Sequence, residues 1–238
     1  MKLETHMEPP AGRRTPSRTA SALHYMLLTY RLDMLWLPAA FLALFIIISW
    51  IIRGNHTGFT VCVSYLGVAL PLIGGVLAAY AVLEDPALEL QFATPRPAWV
   101  MLLERLGMIV IISTLCALAY QAIIAALGID LAPLGGIFAR QLAWLAPTLV
   151  MIALGCASAF AGRQPSAGAA AVGMLWIFQL VLRTWFLEDR LGQYLLLMMG
   201  SNYPDHPALR GNQAALVGLA VLLLAACWAM LRRQERYI

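Results

Sequence analysis

An acidic segment, residues 84–106, lies between two long apolar runs and has the residue types that bind another protein. Glu84, Asp85 and Glu89 make this segment negatively charged. Carboxylates grouped on a short surface helix can bind a basic surface of a soluble partner. We therefore expect a docking helix here, or, as the alternative, an amphipathic helix that rests at a membrane interface.

The same segment carries the signals of a short helix with a sharp end. Asp85-Pro86 is typical of a helix start, because proline is favoured at the first helical position. Leu88 and Phe92 would then share one face. Thr94-Pro95-Arg96-Pro97 ends the helix, and a second helix is predicted to run from Ala98 into the following apolar run.

Uncharged polar side chains inside the apolar runs are a second set of candidate binding groups. The candidates for a weakly polar substrate path are Tyr65, Thr114, Tyr120, Gln121 and Gln179. The alternative is hydrogen bonding between helices, which contributes about 1 kcal/mol per bond in a membrane. Both interpretations remain open from the sequence.

The metal-binding and redox residue types show no pattern of a site. Cys62, Cys116, Cys156 and Cys227 all fall in apolar runs without a C-x-x-C pair, and the histidines are scattered. The chain also lacks the G-x-x-x-x-G-K-[ST] phosphate loop. We expect no metal site, no cofactor bound by this chain and no catalytic residue.

The composition identifies the elements that must position these groups. The chain has 238 residues, of which 61% are hydrophobic and 12% charged, and its mean hydropathy is +0.77. Such a chain has too little polar surface for a soluble fold, and the apolar runs approach the roughly 20 residues that cross a bilayer as a helix. The predicted fold is all-α and polytopic, with spans at about 34–52, 61–83, 107–129, 141–162, 166–182 and 213–231.

The ends of the chain and the arginines complete the predicted organisation. Residues 1–20 are predicted to be a disordered cytoplasmic leader, and residues 21–238 a single six-span domain. Of the 16 basic residues, 11 fall on the side of the two termini, which places both termini in the cytoplasm. The predicted location is a bacterial cytoplasmic membrane. The sequence has no basic cluster interleaved with exposed aromatic residues, so we do not expect it to bind nucleic acid.

Prolines, glycines and two amphipathic stretches predict finer features. Pro71 and Pro147 should kink their spans. Small residues, as in Gly74-Gly75, Gly155-x-x-x-Ala159 and Ala214-x-x-x-Gly218, allow close helix approach. Residues 21–36 predict an interfacial helix before the first span. Leu191 to Met199 predicts a short external helix between the fifth and sixth spans, either capping a path or resting at the surface.

The chain resembles the type-2 ATP-binding cassette exporter permeases. The resemblance rests on six spans with both termini inside and on the first cytoplasmic loop, where Leu88-Glu89-Leu90, Thr94-Pro95 and Leu102 to Leu106 match the family pattern. The chain departs from that pattern at Asp85-Pro86-Ala87, where the family usually has Gly-Thr before the Glu-Leu pair.

The resemblance implies an interfacial elbow helix, a coupling helix between spans 2 and 3, and external or re-entrant helices between spans 5 and 6. The implied coupling residues are Glu84, Asp85, Leu88, Glu89, Phe92, Thr94, Pro95 and Arg96. The implied partners are membrane lipid, a separate ATPase subunit that binds ATP and Mg, and a second permease copy or a homologous permease.

Spans without charge favour an amphipathic or lipid-like cargo, such as a lipid, peptide, drug or glycan-lipid, because a bare ion would find no partner there.

Two other functions stay open. An integral-membrane enzyme acting on lipids would need acid/base groups with a regular spacing, which the acidic residues outside the spans lack. A membrane scaffold or immunity-type protein is compatible with the composition.

Overall fold

A computed structural model describes residues 33–53, 58–83 and 98–234. The chain divides into two units, residues 1–36 and 37–238. Of the first unit only residues 33–36, at the start of a helix, are among those described. The predicted leader, nearly all of the predicted elbow helix, and the predicted coupling helix lie outside the described residues. Within the described ranges all regular structure is helical.

The described ranges contain nine α-helices. In chain order they are α1 (Asp33–Ile52), α2 (Gly58–Ser64), α3 (Leu70–Leu83), α4 (Ala98–Ala126), α5 (Ile137–Gly162), α6 (Pro165–Val181), α7 (Arg183–Glu188), α8 (Met199–Asn202) and α9 (Leu209–Gln234). A π-helical turn, Tyr65–Ala69, joins α2 to α3 without a break, and 3-10 turns lie at Ala132–Leu134 and Gly192–Tyr194.

Within the described ranges, five helical stretches are long and apolar enough to cross a membrane, which identifies an α-helical membrane protein. They are Leu35–Ile52, Gly58–Val82, Trp99–Ala126, Ile137–Gly162 and Leu209–Arg232, and each overlaps a predicted span. The predicted span 166–182 forms α6, which has 17 residues. At 1.5 Å per residue α6 is about 26 Å long, which is shorter than the roughly 30 Å of a hydrocarbon core.

The third apolar run begins as the sequence predicted. Helix α4 starts at Ala98 and continues to Ala126 without interruption, so the polar residues Glu104 and Arg105 lie in its first turns. The same helix ends before Ile129, where the predicted span ended. Gly128 adopts a positive φ of 80° directly after it, a conformation that ends helices and that glycine tolerates.

Pro71 explains why the second apolar helix is not α-helical throughout. Proline donates no backbone hydrogen bond, and its ring clashes with the carbonyl four residues earlier, which belongs to Gly67. Widening the preceding turn relieves this clash. The backbone N–H of Leu70 accordingly donates to the carbonyl of Tyr65, five residues back, which is the π-helical pattern. The disturbance expected at Pro71 takes the form of this π-turn. The kinks of the helix axis at Pro71 and at Pro147, which lies inside α5, stay predictions.

Close contact between glycines joins α3, α5 and α6. A Cβ atom on Gly155 would overlap the carbonyl of Gly75, and one on Gly75 would lie 2.9 Å from the carbonyl oxygen of Met151. On α6, a Cβ on Gly168 would lie 2.6 Å from the Gly155 carbonyl oxygen. The prediction of close approach at Gly74-Gly75 and at Gly155 is confirmed. The same prediction for Ala214-x-x-x-Gly218 was wrong, because a Cβ on Gly218 would have no atom within 4 Å among the described residues. Backbones this close gain dispersion energy that larger residues would prevent.

Large apolar side chains are exposed on α1, α4, α6 and α9, and aromatic residues stand beside arginines near helix ends. Trp36 on α1, Met174 on α6 and Leu222 on α9 are examples of exposed apolar residues. The Arg232 guanidinium lies 3.9 Å from the centre of the Trp228 ring near the end of α9. Exposed apolar faces with Trp and Arg near the ends suit contact with lipid and its interface.

Replacing Gly155 with alanine tests the glycine contact. We expect Gly155→Ala to lower the free energy of unfolding by about 1–3 kcal/mol, because the new methyl group has no room against the Gly75 carbonyl. Thermal unfolding of the purified protein in detergent micelles measures the change. Gly218→Ala is the matched control, since no atom lies within 4 Å of its added Cβ, and it should leave the stability unchanged or slightly higher. Equal effects of the two variants would contradict this packing.

Candidate functional site

The predicted docking residues lie outside the described part of the chain. They are Glu84, Asp85, Leu88, Glu89, Phe92, Thr94, Pro95 and Arg96, and their coupling role stays a prediction. The helices on either side of this segment are described. An Arg105 Nη1 donates to the carbonyl oxygen of Ala81 at 2.9 Å, which joins the start of α4 to the end of α3. The segment therefore emerges from two helices that are bonded to each other at its base.

Two of the predicted path residues meet in a buried hydroxyl cluster. Tyr65 on the π-turn and Tyr120 on α4 are both fully buried, and their ring centres lie 4.3 Å apart. The Tyr120 hydroxyl shares a hydrogen bond of 2.9 Å with the Ser49 hydroxyl of α1. The Tyr65 hydroxyl has no hydrogen-bond partner among the residues that the structure describes. A buried hydroxyl without a partner is costly in an apolar core, and so it is a candidate group for binding.

The other predicted path residues are engaged in bonds within the bundle. Thr114 donates to the carbonyl of Val110 in its own helix. The side-chain amides of Gln121 on α4 and Gln141 on α5 bond each other, at 3.0 Å and 3.4 Å. The Trp144 indole N–H also donates to Gln141 Oε1. For Gln121 the structure shows the alternative of hydrogen bonding between helices, whereas the bond of Thr114 stays within α4.

The chain between α6 and α9 enters the bundle instead of lying over it. We call residues 191–203 the inserted segment. Residues 196–201 of this segment are all buried, and Leu196 and Met199 are completely so. The prediction of one amphipathic helix from Leu191 to Met199 was wrong, because the segment is broken into the 3-10 turn Gly192–Tyr194, an irregular stretch and α8. An apolar stretch with both faces covered by protein does not need an amphipathic helix.

Side chains from α6 and α9 supply the hydrogen bonds that the backbone of the inserted segment needs. On α6, the Gln179 side-chain amide donates to the carbonyl of Leu195 at 3.0 Å and accepts from the N–H of Leu197 at 3.1 Å. On α9, Asn212 Nδ2 donates to the carbonyls of Gln193 and Leu196, each at 2.9 Å. Gln179, predicted as a path residue, is thus a structural contact of this segment.

The inserted segment also packs tightly against the π-turn and α5. A Cβ on Gly67, in the π-turn, would overlap the side chain of Ser201. A Cβ on Gly200 would lie 2.8 Å from the Cα of Ala143 on α5. The segment therefore sits in a notch that the absence of a side chain at Gly67 leaves open.

A further bond connects the π-turn to α6. The Trp176 indole N–H donates to the carbonyl of Val68 at 3.2 Å. Trp176 and Gln179 are three residues apart on α6, so they lie on the same face of that helix. One side of α6 thereby holds both the π-turn and the inserted segment.

The sequence did not reveal several residues that form this site. Ser49, Trp176 and Asn212 stand alone in apolar surroundings or at a span end, and nothing in their spacing distinguishes them from ordinary helix residues. Ser201 lies between the fifth and sixth predicted spans, where one of the two predictions was a stretch that rests at the surface. Pro71 was the one available signal, because a proline inside a span disturbs the backbone hydrogen bonds of the turn before it.

The chemistry available here is hydrogen bonding and steric closure. Among the described residues no three or more His, Cys, Asp and Glu side chains group together as metal ligands would. The cysteines are free thiols, and Cys62, Cys156 and Cys227 are buried, as small apolar fillers would be.

Comparison with family models, curated proteins and solved structures found no match to the chain.

The hydroxyl cluster predicts opposite effects for two similar substitutions. Tyr120→Phe removes a hydroxyl that is bonded to Ser49, so we expect the free energy of unfolding to fall by about 1 kcal/mol. Tyr65→Phe removes a hydroxyl that has no partner, so we expect no loss or a gain of similar size. Reversible unfolding in mixed detergent micelles measures both. A larger loss for Tyr65→Phe than for Tyr120→Phe would show that the hydroxyl of Tyr65 is bonded.

Proposed function

We propose that the chain is the membrane-spanning subunit of an ATP-driven exporter of the type-2 ATP-binding cassette class. The observation that carries the proposal is the acidic segment 84–97, which emerges from two apolar helices bonded to each other by Arg105 and the Ala81 carbonyl. A push on such a segment would move both helices together. The absence of charged residues from the predicted spans and of a phosphate loop from the sequence supports an external source of energy.

The proposed topology has six spans, an elbow helix before the first, and both termini in the cytoplasm. Helix α6 is then the fifth span, and α7 continues its path beyond the break at Leu182. The sixteen basic residues support this orientation, since most of them fall on the side of the termini. The coupling helix between spans 2 and 3 would face the cytoplasm, and the inserted segment would lie at the outer end of the bundle.

The proposed machine contains two permeases and two ATPase subunits. A second copy of this chain, or a homologous permease, would face the first across a central path. The ATPase subunits would bind ATP and Mg, dock on the coupling residues around Glu89 and close on ATP. The rigid Pro95-to-Pro97 step would then transmit their movement to α4. The chain itself would have no catalytic residue.

The proposed cargo is amphipathic or lipid-like. The spans offer apolar side chains with a few uncharged polar ones, which suits a molecule that is itself mostly apolar. Of the five predicted path residues, Tyr65 is the one whose polar group has no partner within the bundle. Its buried hydroxyl supports a weakly polar binding group beside an apolar path.

Reversing the charge of Glu89 tests the docking role. When the chain is purified with the product of a neighbouring gene, the complex should hydrolyse ATP faster than that product alone. We expect Glu89→Arg to abolish most of this stimulation, because a basic partner surface would then meet a like charge. The measurement is phosphate release in lipid nanodiscs.

Glu188→Arg is the matched control, since it reverses a charge on α7 at the other end of the bundle. It should leave the stimulation unchanged. Two outcomes would count against the proposed function. The product of the neighbouring gene could lack ATPase activity, or the Glu89→Arg variant could stimulate the ATPase as fully as the unaltered chain does.

Cysteine labelling tests whether α6 crosses the membrane. In a variant whose native cysteines are replaced by alanine, Gln164→Cys and Asp205→Cys place single thiols at exposed positions on either side of α6. With six spans, a membrane-impermeant maleimide added to intact cells should label position 205 only, and permeabilised cells should be labelled at both positions. If α6 does not cross, the two positions will behave alike in intact cells.

A further inference from the structure

The inserted segment depends on other elements for its backbone hydrogen bonds. Its irregular part, residues 195–198, cannot satisfy its own N–H and C=O groups as a helix would. Non-helical backbone inside a membrane bundle persists only where protein groups satisfy it. Gln179 on α6 and Asn212 on α9 provide four of the bonds, and both side chains are almost fully buried.

The hydrogen bonds that hold the inserted segment can break together. The described bonds to the segment from α6 and α9 are hydrogen bonds from single side chains, with no ion pair or disulfide among them. The segment is flanked by turns at 189–191 and 203–208 with exposed residues on both sides. Short hydrogen-bonded segments between exposed turns are the parts of proteins that open at low free-energy cost.

Helix α6 is placed to control the opening. Gln179 binds the inserted segment, and Trp176, one turn away on the same face, binds the Val68 carbonyl of the π-turn. The π-turn in turn contains Gly67, against which Ser201 of the segment is packed. The three elements thus form a closed set of contacts, in which α6 touches both of the others. A displacement of α6 would change its bonds to the segment and to the π-turn at the same time.

We infer that Trp176 and Gln179 form a two-point latch on α6 that keeps the inserted segment seated in the π-turn notch, and that the segment leaves the notch as a unit when α6 shifts. The purpose of the opening, release of cargo at this end of the bundle, rests on the proposed function. The latch itself does not, and the chain alone suffices to test it.

The first experiment measures access to the segment. Met199→Cys, at a completely buried position, serves as the reporter in a variant whose native cysteines are replaced by alanine. The rate of labelling by a soluble maleimide in nanodiscs reports the open fraction. We expect Gln179→Leu to speed labelling roughly 10- to 100-fold, because it removes two hydrogen bonds and leaves their backbone partners buried and unpaired. Gln121→Leu, which breaks a glutamine contact away from the segment, should have little effect.

The Trp176→Phe variant tests whether Trp176 and Gln179 act together as a latch or whether Gln179 alone holds the inserted segment. This variant loses the bond to the Val68 carbonyl, which does not belong to the inserted segment, together with part of the packing of the indole against the core around Val150 and Leu216. If α6 holds both elements as one device, labelling should rise roughly fivefold. The Trp176→Phe/Gln179→Leu double variant should then be little faster than Gln179→Leu alone, since the latch is already open. No change in Trp176→Phe, or purely multiplicative effects in the double variant, would overturn the two-point latch.

The notch has its own test, with a rescue. Gly67→Ala places a methyl group where the Ser201 side chain lies, so labelling of the reporter should accelerate. Adding Ser201→Gly removes the overlapping atoms and should restore the rate of Ser201→Gly alone. Gly218→Ala is the control for an alanine in an open position. Failure of Ser201→Gly to restore the rate would refute docking of Ser201 against Gly67.

Hydrogen exchange on the unaltered chain covers the case in which a variant fails to fold. The amides of residues 195–201 should exchange together and faster than those of 146–156 in the core of α5, because the segment opens without unfolding the bundle. Exchange of the segment only at the rate of the α5 core would show that it never opens separately, and the latch would be refuted. None of these measurements requires ATP or a partner, so their outcome is independent of the ATPase test.

Discussion

Lipid offers no hydrogen bonds, so each backbone N–H and C=O group in this protein must find a partner within the chain. The helices meet this requirement by themselves wherever they are regular. Pro71 breaks the pattern, because it has no N–H and forces the turn before it to widen. The Val68 carbonyl on that turn is bonded by the Trp176 indole of a distant helix. The π-turn and the inserted segment, which both depart from the regular α-helix, therefore receive hydrogen bonds from side chains of other helices.

The two ends of the bundle are held together by different interactions. Around Gly75, Gly155 and Gly168, backbones touch and no side chain intervenes, so the contact is short-ranged and stiff. Around the inserted segment, the contacts are side-chain hydrogen bonds from Gln179 and Asn212 to irregular backbone. Hydrogen bonds of this kind have a modest net free energy, and a change of helix position can break them. A rigid end beside the segment that we infer to open would suit the exporter that we propose.

The helices could be predicted closely and the site only in part. The spans follow from unbroken apolarity, which in a membrane has no stable alternative to a helix. Tyr65 and Tyr120 were candidates and do meet, but their contact with Ser49 required knowing which helices are neighbours. Gln179 was also a candidate, and its role changed, because its partners belong to a segment whose insertion no periodicity indicated. The acidic segment remains a prediction, since it lies outside the described residues.

The sequence by itself determined that the chain is helical and built for a membrane, because apolar length and the absence of charge act through the solvent and not through neighbours. It also determined that Pro71 must disturb its helix. Only the tertiary structure decided which residues bond to the disturbed turn and that residues 196–201 are buried. Those outcomes depend on contacts between residues up to 108 positions apart, and a local pattern does not encode such distances.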